Sequence, residues 1–266
     1  ESIQRLLERG GEQGAAVVLM CSRDIRQQGC PGQPPDVLVP GVPLWTEAGE
    51  AVIVHGDPWS RPMSILNVLL SRDQLVIAVD TLAEDALTGA HSAGAKMLLI
   101  PQHNLLLATR GSAQFFLRIY ELALQASFRA EFTVGQLSAE LGSVIDQLWP
   151  NYEKAVAEAG LPIEQLGTEI VLGGWSPQQG RMIATAYSKS GSGQPARVQP
   201  ITGQLASPGE PLKTVPPSMA QAELLAAGRL QASYLNEREG RQVAGGRLLI
   251  GFLQQGQAVI KDLGKI

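Results

Sequence analysis

SILNVLLSRDQLVIAVDTLAEDALTGAHSAGAKMLLIPQHNLLLATRGSAQFFLRIYE, residues 64–121, carries the pattern on which the fold turns. Its first two apolar runs are separated by Ser-Arg-Asp-Gln (residues 71–74) and its next two by Pro-Gln-His-Asn (residues 101–104). Short apolar runs bounded by polar turn formers predict buried strands joined as hairpins. The period then changes. Phe116, Ile119, Leu122 and Leu124 recur at helical spacing, and Ser112 stands where an N-cap hydroxyl would accept the first free backbone N–H groups.

Toward the C-terminus the texture repeats. TVGQLSAELGSVIDQLWPNYEKAVAEAG, residues 133–160, predicts a second helix that Pro150 should break or kink, because proline lacks the N–H and crowds the preceding turn. Residues 168–191 read as a hairpin with Ser-Pro-Gln-Gln-Gly as its loop. A Gly-, Ser- and Pro-rich passage over 188–217 reads as loop, with RVQPITGQ offering one strand. A third helix, capped by Ser218, is predicted over 218–239, and a last hairpin over 245–264. The order strands, two helices, strands, helix, strands implies an α+β protein, a four-layer αββα sandwich of two sheets between helical layers. Residues 1–62 differ: an amphipathic stretch, the apolar run AAVVLM and the proline-rich GCPGQPPDVLVPGVPLW predict a loop-rich extension, with residues 63–266 as the domain.

Composition removes several function classes. Hydrophobic residues make up 44% and charged residues 17% of the 266, which suits a globular core and not a disordered chain. A formal net charge of −4 provides no broad positive field for a phosphate backbone, so no nucleic acid is expected as partner. No apolar run approaches the roughly 20 residues that span a bilayer, so no membrane span is expected. Cys21 and Cys30 are too few for a disulfide framework, and His55, His91 and His103 follow no metal-ligand spacing; neither metal nor cofactor is expected.

Ser64 opens the first strand, Asp80-Thr81 closes the second, Lys96 opens the third, and Gly111-Ser112-Ala113 turns into the first helix. Singly, Asp80 would pass for a turn former and Lys96 for a solvated strand end. Together, with Ser64, Asp80 and Lys96 evenly spaced and the glycine pairs Gly173-Gly174 and Gly245-Gly246 following, the constellation resembles proteasome β-subunits and their bacterial relatives, which are N-terminal-nucleophile hydrolases. The resemblance covers roughly the last 200 residues. It implies Ser64 as nucleophile, Lys96 as its activator, Asp80 as the orienting carboxylate and Gly111 as an oxyanion donor. It also implies assembly with copies of itself or with other protein subunits, in the cytoplasm or in a soluble particle such as a virion. The glycine pairs themselves read as close-packing or bulge positions.

Three departures point to a disabled site. The chemistry uses the free α-amine of the nucleophile as base, and here Met63 acylates that amine. Self-cutting relatives carry glycine before the nucleophile, where this chain has Met63. The later Asp-x-x-Ser-Gly-Gly motif reads Arg241-Gln242-Val243-Ala244-Gly245-Gly246, and the turn before the third helix reads Val215-Pro216-Pro217-Ser218, with two donors lost to proline. The expectation is an inactive structural subunit; the alternative is a self-processed serine hydrolase of peptides or amides using Ser64.

Overall fold

The computed structural model describes residues 63–163, 166–212 and 220–266. The expected extension over 1–62, Cys21, Cys30, His55 and the Ser218 cap all lie outside these residues. β1 (Leu66–Leu70) and β2 (Gln74–Asp80) form the first predicted hairpin, and the Ser71 hydroxyl accepts from the Gln74 N–H at 3.1 Å to close its turn. β5 (Met97–Ile100) and β6 (Leu105–Gly111) form the second. Their turn is a short 3-10 segment, Pro101–His103, that ends on Asn104 in the left-handed region at φ 48°. Between the hairpins lies a small one that the apolar pattern did not announce, β3 (Leu82–Glu84) with β4 (His91–Ala93).

The remaining strands among the described residues are β7 (Thr168–Ser176), β8 (Arg181–Lys189), β9 (Arg197–Pro200), β10 (Gln204–Ser207), β11 (Arg247–Gln254) and β12 (Gln257–Lys265). They complete two five-stranded antiparallel sheets, ordered β10-β1-β2-β11-β12 and β5-β6-β7-β8-β9. RVQPITGQ supplies the expected strand as β9 and reaches only the first residue of β10, and the two belong to different sheets: β9 pairs with β8 while β10 pairs with β1. The chain crosses between sheets at Gly203, whose φ of 76° suits glycine.

Period-two alternation decides what each strand face covers. Leu66, Val68, Leu75, Ile77 and Val79 of the first sheet share one buried cluster with Met97, Leu106, Ala108, Val171, Met182 and Ala184 of the second, so these faces pack together. The alternate residues Leu69, Val76 and Ala78 pack with Leu248, Ile250 and Leu224. Leu224 belongs to α3 (Gln221–Glu239), which begins after Ala220 at the N-cap position. Asn67 and Gln231 tie that helix to β1 through a reciprocal pair of buried side-chain amide bonds of 2.7 and 2.9 Å.

α1 (Ala113–Ser127) and α2 (Val134–Glu158) lie on the second sheet. The Ser112 hydroxyl accepts from the Phe115 N–H at 3.2 Å, which is the predicted cap. Tyr120 donates to the Leu99 carbonyl, and Ser138 meets Thr185 and Tyr187. Helix α2 runs through Pro150 without the break that was one of the two expected outcomes there. The lost hydrogen bond is outweighed by burial on either side of it: Trp149 is fully buried, stacks edge-on with Phe115 and Tyr152, and donates to Glu153 at 2.7 Å.

Gly173 shows how closely the sheets approach. A Cβ there would lie 2.3 Å from the Leu75 Cδ2 of the facing sheet and 3.2 Å from the Ile183 carbonyl oxygen. Gly173→Ala is therefore expected to lower stability by about 1–3 kcal/mol, and Leu75→Val in the same chain to return part of it. Denaturant midpoints of the two singles and the double check this; simple additivity would mean that the two positions do not press on one another.

Candidate functional site

Asp80 ends β2, Lys96 directly precedes β5, and Ser64 lies two residues before β1. The register Leu66↔Val79 carries the start of β1 alongside the end of β2, which brings Ser64 and Ile65 to Asp80. Lys96 comes from the opposite sheet. Its Nζ donates to the Ser64 Oγ at 2.9 Å and to Asp80 Oδ1 at 2.9 Å. Ser64, Asp80 and Lys96 are 6%, 0% and 5% exposed, so this hydroxyl, carboxylate and ammonium meet almost out of water.

A buried carboxylate needs its remaining lone pairs filled, and two backbone donors do this. The Ile65 N–H donates to Oδ1 at 3.0 Å and the Gly245 N–H to Oδ2 at 3.1 Å. Gly245 and Gly246 hold φ of 137° and 77°, a backbone that L side chains rarely adopt. At Gly246 a Cβ would approach Thr81 Oγ1 to 2.6 Å, and that hydroxyl accepts from the Arg247 N–H. The second glycine pair is thus more than close packing. It wraps the Asp80-Thr81 corner and supplies one of its donors, a role the sequence signalled only by the Ala-Gly-Gly motif.

Gly111 stands apart from this network. It pairs with Thr168 in the ladder between β6 and β7, and its φ of 105° with a would-be Cβ 2.2 Å from the Gly167 carbonyl accounts for glycine on local grounds. Among the described residues no hydrogen bond joins it to Ser64, Asp80 or Lys96. On α2, burial pushes the Tyr152 hydroxyl up from its ordinary value, and the influence of the Ser112 side chain draws it partly back.

The arrangement holds a serine hydroxyl as acceptor of a hydrogen bond from a lysine whose charge is matched by a carboxylate. An ammonium engaged in that way has no lone pair with which to take the serine proton. The other candidate base, the Ser64 nitrogen, is amide-bonded to Met63. Met63 is itself held: Arg241 Nη2 donates to its Sδ at 3.6 Å while Nη1 pairs with Glu84 Oε2. Among the described residues no three His, Cys, Asp or Glu side chains converge to hold a metal ion, and no described helix is long and apolar enough to cross a membrane.

No protein-family model and no curated protein matches the chain. Among solved structures it is similar to Anbu (ancestral beta-subunit) from Yersinia bercovieri, with a TM-score of 0.54 and 13% identity over 76% of this chain and 87% of that one. It is also similar to an Anbu (Gly-1) mutant from Hyphomicrobium sp. strain MC1, with a TM-score of 0.50 and 14% identity over the same shares. At such identities the likeness is one of fold alone. It corrects the family expectation: the structural neighbours are Anbu (ancestral beta-subunit) proteins, and not the proteasome β-subunit type inferred from sequence. The physical reason is that three spaced side chains fix where two sheet ends meet, whereas a family is defined by the course of the whole chain.

Proposed function

We propose that this chain is a catalytically silent, Anbu-like subunit of a larger protein assembly, built as a four-layer αββα sandwich over residues 63–266 with residues 1–62 as an extension. The observation that carries the reading is the Ser64 hydroxyl locked under a charge-paired Lys96 while its own nitrogen remains an amide. Ser64, Asp80 and Lys96 then serve as a buried polar clasp between the two sheets, and Gly111 is the helix turn of the same inherited layout. The partners are copies of this chain or other protein subunits, in the cytoplasm or in a soluble particle such as a virion. Multi-angle light scattering of the full chain, with copurifying proteins identified by mass spectrometry, tests this: an assembly of defined size is expected, and a lone monomer at every concentration would end the assembly reading.

One observation favours a second reading. The short contacts among Ser64, Lys96 and Asp80 are also what a serine nucleophile needs once its amine is free, so a chain cut before Ser64 would be an N-terminal serine hydrolase of peptides or amides.

A further inference from the structure

Arg241 stands at the carboxylate position of the Asp-x-x-Ser-Gly-Gly pattern, and its guanidinium engages two groups at once. Nη1 pairs with Glu84 of β3, and Nη2 donates to the Met63 sulfur at 3.6 Å. Glu84 is anchored in the β3–β4 hairpin and Arg241 follows Gly240, the left-handed residue that ends α3. The residue before Ser64 is therefore held by Arg241, which the β3–β4 hairpin braces through Glu84. Ser64 beneath it is 6% exposed, whereas Met63 is 41% exposed and in reach of solvent.

We infer that Arg241, braced by Glu84, is a positioning residue that pins Met63 over Ser64 and keeps the Met63–Ser64 junction closed. The inference rests on the reading of the junction as uncut. The planar guanidinium suits the task because it directs separate N–H groups to two acceptors, whereas a lysine ammonium is a point charge on a flexible stem. An exposed ion pair contributes little to global stability, so the consequence of losing it is local. Charge alone would do for Glu84; the sulfur needs the second arm of the fork.

The test uses the full chain and dilute hydrogen peroxide, which converts a thioether to a sulfoxide by transferring one oxygen atom and leaving water. Oxidation of Met63 is followed by peptide mass spectrometry, with buried Met97 and Met182 as internal references. Arg241→Ala is expected to raise the Met63 rate about two- to fivefold with the reference rates unchanged. Arg241→Lys keeps a charge for Glu84 and should leave Met63 nearly as unprotected as alanine does. An unchanged Met63 rate in both variants, or full protection restored by lysine, would overturn the latch. The same maps read the intact 63–64 peptide in the unsubstituted chain, so a cut junction overturns the reading beneath the proposal, while a normal oxidation rate in an uncut variant overturns the latch alone.

Discussion

Asp80→Asn is expected to destabilise the folded chain by about 3–5 kcal/mol, among the largest losses available from a single near-isosteric change. The shape is nearly kept, and the side-chain carbonyl can still accept from the Ile65 or Gly245 N–H. What disappears is the counter-charge of Lys96, whose side chain is 7% exposed and whose ammonium would remain inside the protein without an anion. An uncompensated buried charge carries a desolvation penalty of several kcal/mol, far more than the bond it forfeits. Urea titration of both proteins measures the difference as a shift in midpoint at constant slope. A loss below about 1 kcal/mol would mean that Lys96 reaches water and that the pair is a surface contact in effect.

The second large effect comes from the other partner. Lys96→Met keeps the length and the packing of the side-chain stem but removes the cation from Asp80 and the donor from Ser64. The Asp80 carboxylate keeps its two backbone donors, at 3.0 and 3.1 Å, which soften the penalty. A loss of about 2–4 kcal/mol is expected, somewhat smaller than for Asp80→Asn. Combining the two substitutions removes both charges, so the double variant should be clearly more stable than the sum of the singles implies. Additive losses in the denaturation cycle would mean that the two groups act separately and that no clasp joins the sheets.

What could be read from the sequence was local. The hairpins of β1–β2, β5–β6, β7–β8 and β11–β12 and helices α1, α2 and α3 follow from apolar period and turn chemistry, which act over a few residues. β3 and β4 escaped because Leu82–Glu84 and His91–Ala93 are short, partly or wholly exposed, and lack an apolar run. The unbroken helix across Pro150 escaped because the burial of Trp149 against Phe115 and Tyr152 is tertiary. The passage after RVQPITGQ shows the same limit: β10 lies where the Gly-, Ser- and Pro-rich composition read as loop, and it forms through its pairing with β1 in the sheet opposite β9.

At the site, the spacing of Ser64, Asp80 and Lys96 named side chains that the fold does bring within hydrogen-bonding distance. It could not reveal that backbone donors from Ile65 and Gly245 complete the carboxylate, since backbone groups have no sequence signature. It gave no hint that Arg241 would meet Met63, 178 positions away. Nor could three spaced side chains fix a family, and the proteasome β-subunit assignment gave way to a likeness in fold with Anbu.

The most direct measurement is peptide mass mapping of the purified chain across the Met63–Ser64 junction. Silence of the site predicts that this bond is found whole in essentially every molecule, with the Ser64 nitrogen still carrying Met63. A peptide beginning at Ser64 with a free amine, produced without added protease, would contradict it and hand the hydroxyl its missing base.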